Sequence, residues 1–327
     1  MKPFIKYPGG KIKEFPLVNK YKPQNISRYF EPFVGGASIF LNINIPYSYI
    51  NDKSEDLANL YKYVKIQNLS FFNYIKELNR LWMTIETDDI ISSYLLSDNS
   101  FQKYKHQSLT LKRKKIQALE NEGYIVSQND KQDMILTAKK TALYMCVRDL
   151  YNTEKLDSPL HTACFYFLRE YCYSSMFRFS KEGRFNVPYG GRSYNYKYMT
   201  AKIEQMQSTA LIEYFRKTSI YNLDFEIFLN LFDLSPNDFI FLDPPYDSKF
   251  STYDKLQFDK DEQIRLSDFL KRTKAKWMLI IKKTDFIYML YKDYFIFEYD
   301  KNYLVSFKNR NTKEAKHLLI TNYNIGV

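Results

Sequence analysis

Four consecutive apolar residues, Phe239-Ile240-Phe241-Leu242, run directly into Asp243-Pro244-Pro245-Tyr246. A short run without polar alternation suits a strand buried on both faces, which places the tetrapeptide just past the carboxyl end of an inner strand of an α/β sheet. Open α/β sheets bind ligands there. Each residue before a proline is pushed out of the α region, and neither proline has an N–H to donate. Asp243 and Pro244 therefore offer side-chain and main-chain oxygens to an amino group, and Tyr246 could lie flat on a base. Oxygens so placed suit an exocyclic amine: they accept its hydrogens, shift its lone pair away from the ring and hold the nitrogen in line with an electrophile. A rigid turn after a strand would use the same residues.

The surrounding pattern agrees with an α/β layout. Strand-like runs are expected at 28–34 and 47–51, with a glycine turn and a helix over 37–42 between them, and again at 219–223, 238–242, 276–281, 294–299 and 317–323. A helix is expected over 261–273. From about 54 to 149 the apolar residues recur at three- and four-residue spacing, as in Leu57, Leu60, Tyr61 and Val64, so this stretch reads as helical. Residues 165–188 read as a loop-rich, aromatic and basic surface. The sequence thus predicts a domain in two parts, 1–56 and 208–327, interrupted by an insert over 57–207.

Composition narrows the partners. The 327 residues are 45% hydrophobic, enough for a buried core, and the 48 Lys and Arg exceed the 37 Asp and Glu by a formal charge of +11. That balance favours nucleic acid over an anionic membrane. No apolar run reaches the roughly 20 residues of a spanning helix and the N-terminus lacks a signal-peptide pattern, so a soluble, cytoplasmic protein is expected. Cys146, Cys164 and Cys172 are odd in number and too widely spaced for a zinc knuckle or disulfide framework, which assigns them to core packing. His106, His161 and His317 lack ligand spacing, and no metal is expected.

Three further segments are informative only together. Phe30-Glu31-Pro32-Phe33-Val34-Gly35-Gly36-Ala37-Ser38 reads as a strand, a glycine turn and a helix N-terminus that lets backbone approach a ligand; it is neither G-x-G-x-x-G nor a P-loop, which disfavours a dinucleotide. Asp52 ends the next strand, where a carboxylate can take two ribose hydroxyls or cap the following helix. Asp224 and Phe225 form another strand-end pair able to bond an adenine amino group and stack on its ring, or to cap a helix. Tyr7-Pro8-Gly9-Gly10-Lys11, standing alone, reads as a turn with a surface lysine.

In the order YPGGK, FEPFVGGAS, IND, a helical and aromatic insert ending in GRFNVPYGG, LDPPY and a terminal LLITNY strand, the chain resembles the Dam-like (D12 class, α-group) DNA adenine-N6 methyltransferases over most of its length. The resemblance implies a seven-stranded Rossmann-like sheet that binds S-adenosylmethionine, leaving S-adenosylhomocysteine as product, with an inserted, mainly helical target-recognition domain. It places Tyr7 and Lys11 in the first cofactor motif, Glu31, Phe33, Gly35 and Gly36 in the glycine turn, Asp52 at the ribose, and Asp224 and Phe225 at the adenine. Asp243, Pro244, Pro245 and Tyr246 become the catalytic motif, at which the N6 of a flipped adenine attacks the sulfonium methyl group directly, with no metal and no covalent enzyme intermediate.

The resemblance also points to Tyr173, Ser174, Ser175, Met176 and Arg178, with Asn186 and Pro188 after them, as the loop facing double-stranded DNA, and to Lys6 as a base contact. Arg178 is the candidate guanine reader, since a guanidinium can bond O6 and N7 together. Tyr173-Ser174-Ser175 stands where relatives often carry an aromatic-Asn-Gly turn. The run Lys112-Arg113-Lys114-Lys115 either grips phosphates or forms a solvated helix face. The implied enzyme is a monomer with no membrane partner that methylates a short, GATC-like site, as a solitary mark or beside a restriction endonuclease linked to it in function but not by contact. Cytosine N4, RNA adenine and an inactive recognition subunit remain the alternatives.

Overall fold

The computed structural model describes residues 1–245, 258–302 and 314–326. They form two compact units: Met1–Pro3 with Gly9–Ala58 and residues from Tyr214 onward, and Phe4–Pro8 with Asn59–Glu213. The strands are β1 (Arg28–Glu31), β2 (Ser48–Asn51), β3 (Thr218–Tyr221), β4 (Asp238–Leu242), β5 (Lys276–Lys282), β6 (Phe295–Asn302) and β7 (Glu314–Thr321). The helices are α1 (Phe15–Tyr21), α2 (Phe40–Ile43), α3 (Glu55–Lys65), α4 (Leu69–Thr84), α5 (Asp98–Asn121), α6 (Gln128–Thr153), α7 (Pro159–Tyr171), α8 (Thr200–Met206), α9 (Thr209–Arg216), α10 (Phe225–Asn230), α11 (Lys260–Arg272) and α12 (Asp285–Tyr291).

All seven strands of the described residues lie in one sheet of the first unit, in the order β3-β2-β1-β4-β5-β7-β6. β1, β2, β3, β4 and β5 are parallel, and β7 inserts antiparallel between β5 and β6, with Ile280 opposite Leu319. Chain order reverses at β1, which has β2 on one side and β4 on the other, so the crevice outside the carboxyl ends of β1 and β4 is the topological switch point. Every residue of β4 is buried, as its apolar run requires. One face of the sheet packs Phe30, Ile240, Leu242, Leu279 and Ile320 against Leu266, Phe269 and Leu270 of α11.

At the opposite end of these strands, Arg28 forks Asp238, with Nε donating at 2.8 Å and Nη2 at 2.7 Å. Burial alone would raise the Asp238 carboxyl, but the Arg28 bonds and those from Ser235 hold it below its ordinary value. Arg28→Ala should destabilise the protein by about 3 kcal/mol, the usual cost of stripping a buried carboxylate of its partner. A depressed carboxyl contributes stability above its unfolded value that is lost as pH falls through the folded one. Urea titrations should therefore show the deficit shrinking below about pH 4.

The second unit is helical. Its α7 corrects the reading of 165–188 as surface: every residue from His161 to Tyr171 is buried. A helix enclosed on all sides has no polar face and therefore no period for a sequence reading to detect. The signal that was present is the start, where Pro159 opens the helix and Ser158 Oγ accepts from the His161 N–H at 3.0 Å. Cys146, Cys164 and Cys172 are free and buried, in keeping with core packing. Among the described residues no helix is long and apolar enough to cross a membrane.

Candidate active site

Three strand ends of the first unit are stitched together by Asn51, a buried residue that the sequence reading passed over in favour of its neighbour. Its Nδ2 donates to the carbonyls of Pro32 (3.1 Å) and Leu223 (2.9 Å), and its Oδ1 accepts from the Leu223 N–H at 2.8 Å. Asp52 completes the tie: Oδ2 accepts from the Gly35 N–H and Oδ1 from the Ser54 N–H, both at 2.9 Å. Gly35 has φ +47°, a left-handed backbone that a side chain would strain, so the glycine lets the turn fold onto Asp52. Gly36 follows it, and the helix after the turn is confined to Phe40–Ile43, shorter than the expected 37–42, because Ala37 is also left-handed at φ +58°.

Glu31 closes β1 and is buried. Its Oε2 accepts from the Tyr29 hydroxyl at 2.6 Å. Burial raises its carboxyl well above the usual carboxylate range, against the pull of Tyr29, and the nearby charges of Asp243 and Asp52 push the same way. Three carboxyl groups thus converge outside β1, β2 and β4. Such a donor set fits a cationic ligand, which an S-adenosyl donor with a sulfonium and an ammonium group would be.

Asp243 leaves β4 and meets Lys11. The Lys11 ammonium lies 2.6 Å from Oδ1 and 2.7 Å from Oδ2, and it also donates to the Gly9 carbonyl at 3.0 Å. The lysine side chain is 3% exposed and the aspartate 21%. The first motif therefore reaches Asp243, a link the linear spacing does not reveal. Pro244 is buried and Pro245 exposed. Gln263 of α11 donates to the Pro245 carbonyl at 3.1 Å, which anchors the backbone beyond the acid. Tyr246 lies outside the described residues.

The expected adenine contact is already engaged. Asp224 caps α10 by accepting from the Glu226 N–H at 3.0 Å, and Arg265 forks both its oxygens at 2.8 and 2.7 Å. That fork is the main reason its carboxyl sits below the ordinary value. The guanidinium also lies 4.3 Å from the Phe225 ring centroid, and Phe33 and Phe258 pack around the same ring at 5.5 and 5.9 Å. An adenine amino group would have to share or displace the Arg265 fork. Sequence reading found Asp224 and Phe225 but missed Arg265, one of four cations on α11 and the one that lies between Ile264 and Leu266 in mid-helix.

Tyr7 and Lys6 fall in the second unit. Tyr7 stacks on Arg169, whose guanidinium is 4.5 Å from its ring and 4.5 Å from that of Phe177. Arg169 is buried and donates to the Ser175 carbonyl at 3.3 Å, so it props the expected DNA-facing loop from beneath. Lys6 donates to the Glu170 carbonyl at 2.7 Å and lies over Tyr194. Burial lowers its ammonium from the ordinary value despite Glu170, with Lys197 and Lys202 adding to the effect.

The loop itself is closed at its base, where the Tyr173 N–H donates to the Pro188 carbonyl at 2.9 Å. Tyr173, Ser174, Arg178 and Pro188 are exposed, Met176 and Asn186 half-buried. Residues 178–186 fold back antiparallel through a Phe179–Phe185 bridge, and Arg178 Nε donates to Asn186 Oδ1 at 3.1 Å. Ser174 and Ser175 are left-handed, at φ +52° and +53°, the conformation an Asn-Gly pair adopts at little cost. Ser175→Gly should therefore stabilise the protein by about 0.5–1 kcal/mol, measured by thermal unfolding, whereas Ser175→Val should destabilise it.

Sheet order and strand-end residues define a Rossmann-like methyltransferase. The D12 class N6 adenine-specific DNA methyltransferase family matches residues 7–305. The chain belongs to that family, whose chemistry is methylation of adenine N6 in DNA with S-adenosylmethionine. It is 28% identical over 329 residues to the type II methyltransferase M.CviBI of Paramecium bursaria Chlorella virus NC1A, spanning 99% of this chain and 100% of that relative. It is 29% identical to the type II methyltransferase M.MjaIII of Methanocaldococcus jannaschii, spanning 99% of each. Its identity to the DNA adenine methylase of Vibrio cholerae is 23%, over 83% of this chain and 76% of the relative.

Proposed function

We propose that this enzyme methylates adenine at one short site in duplex DNA, with the target base flipped out of the stack and Asp243 as the residue that receives it. The observation that carries this reading is the Asp243 carboxylate at the end of β4, fixed by Lys11 at 2.6 Å. Asp243 and the Pro244 carbonyl accept the two N6 hydrogens, which draws the nitrogen lone pair out of conjugation with the ring and aims it. S-adenosylmethionine, when bound, supplies the electrophilic methyl group. Glu31 takes the donor's ammonium group, Asp52 its ribose, and the turn through Gly35 and Gly36 lets it approach the backbone. Tyr246 stacks on the flipped base.

The second unit reads the site. Arg178 contacts a guanine, Tyr173, Ser174, Ser175 and Met176 line the loop above Arg169, and Lys6 touches a base. The enzyme acts as a monomer and, as the type II names of its relatives support, modifies DNA in a restriction-modification pair. A GATC-like site remains the working assignment.

Sequencing of modified adenines in plasmid DNA propagated with the protein tests this reading. One short motif should be methylated throughout; scattered methylation without a motif would overturn it. Arg178→Ala should relax the motif at a single base pair, by about 1–3 kcal/mol of discrimination. Equal loss on every sequence would make Arg178 a phosphate contact instead.

A further inference from the structure

In the second unit, α5 and α6 form an antiparallel pair that stands clear of the unit's core. Phe101 is the buried residue of α5, none of residues 102–136 is buried, and α6 enters the core from Thr137. The Tyr104 hydroxyl donates to Asp149 near the base of the arm. At its tip Ile125 is 98% exposed. With 24 residues, α5 is roughly 36 Å long, about the length of ten base pairs of duplex.

The charges on this arm are unevenly satisfied. Glu120 is paired with Lys131 at 2.8 Å, and Arg192 takes both Asp130 (2.8 Å) and Asp133 (2.5 Å). Lys112, Arg113, Lys114 and Lys115 enter no ion pair among the described residues. Between Asp98 and Glu120, α5 carries no acid at all. Lys103 and Lys114, about three turns apart, share one exposed helix face with Arg113 beside them. Four successive cations repel one another, and most of the nearby acids that could relieve them are already paired. A polyanion laid along the helix relieves that repulsion by releasing its own counterions.

We propose that the α5–α6 arm is a sequence-independent grip on the substrate duplex, holding its phosphates outside the methylated site through Lys112, Arg113, Lys114 and Lys115. The chosen occupant is DNA because the enzyme's own substrate is a polyanion, whose phosphates complement a run of four cations with no acid between Asp98 and Glu120. Such a grip adds affinity without adding a base preference.

The test compares the full chain with a variant carrying Lys112→Gln, Arg113→Gln, Lys114→Gln and Lys115→Gln, binding labelled mixed-sequence duplexes of about 12 and about 30 base pairs over a salt series, lengths set by the reach of the arm. On the long duplex, affinity near 0.1 M salt should fall roughly ten- to a hundredfold, and the log–log salt dependence should flatten by about two to four units at ~0.9 per phosphate lost. On the short duplex the loss should be several-fold smaller, and S-adenosylmethionine affinity and thermal unfolding should not move. A second variant with Lys112→Arg, Lys114→Arg and Lys115→Arg should keep the parental salt dependence. An unchanged salt dependence on the long duplex would overturn the proposal. So would equal losses on both lengths, which would place the run at the recognition site, or a preference for single-stranded RNA that the Gln variant abolishes while DNA binding persists.

Discussion

Asp243→Ala is expected to lower the rate of methyl transfer by about a thousandfold or more while changing S-adenosylmethionine affinity only a few-fold. The carboxylate is assigned to the target amine, and the donor is assigned to Glu31, Asp52 and the glycine turn. On the proposed reading, removing Asp243 takes away the acceptor that draws the N6 lone pair out of the ring and orients it, whereas the bonds that the Gly35 and Ser54 N–H groups donate to Asp52 remain. Single-turnover transfer to DNA and calorimetry of cofactor binding separate the two. Turnover within about tenfold of the parent would discard the assignment.

The second large effect concerns stability. Lys11 is almost wholly enclosed, and its ammonium sits 2.6 Å from Asp243. Lys11→Met should cost about 3 kcal/mol in urea unfolding at neutral pH, because a partly enclosed carboxylate loses its counter-charge. Asp243→Asn alone should cost a similar amount by stranding the ammonium. The double variant Lys11→Met/Asp243→Asn should lose clearly less than the sum of the two, with about 1–3 kcal/mol of coupling, since neither charge is left behind. Methyl transfer should stay abolished in the double variant. Recovery of stability without recovery of turnover distinguishes the structural ion pair from the chemistry of the acid. Additive losses would mean that the two side chains do not act as a pair.

Much of this was legible in the sequence, and the reasons are physical. β4 is Asp238–Leu242 as expected, because a five-residue strand buried throughout reads as an uninterrupted apolar run bounded by polar residues and prolines. Strand ends at Asn51 and Leu242 were recognisable since the amide and proline residues there break the β pattern, whereas β1, expected over 28–34, stops at Glu31 because Pro32 has no N–H for the ladder. α7 was hidden for the converse reason: it is buried all round, with Arg169 and Glu170 enclosed along with its apolar residues, and aromatic-rich sequence with nearby glycines resembles a loop. The site's tertiary partners were hidden too. Lys11 meets Asp243 across 232 residues, Asn51 meets Leu223 across 172, and Arg265 meets Asp224 across 41. Local spacing carries no information on such pairs. It is parallel strand pairing that brings β1, β2 and β3 to one crevice, and α11 that presents Arg265 and Gln263 to it.

Arg265 also changes how the cofactor motif is understood. Asp224 and Phe225 were expected to accept and stack an adenine, and a planar guanidinium now meets both demands, with two N–H donors on the carboxylate and its face on the ring. The residue types suit a planar donor, and Arg265, 41 residues further on, is one that local spacing could not pair with them.

The most direct measurement is transfer of a labelled methyl group from S-adenosylmethionine to unmethylated duplex DNA, followed by digestion and separation of the nucleosides. The account predicts label in N6-methyladenine and none with Asp243→Ala. Label in N4-methylcytosine, or cofactor binding with no label in DNA at all, would contradict it.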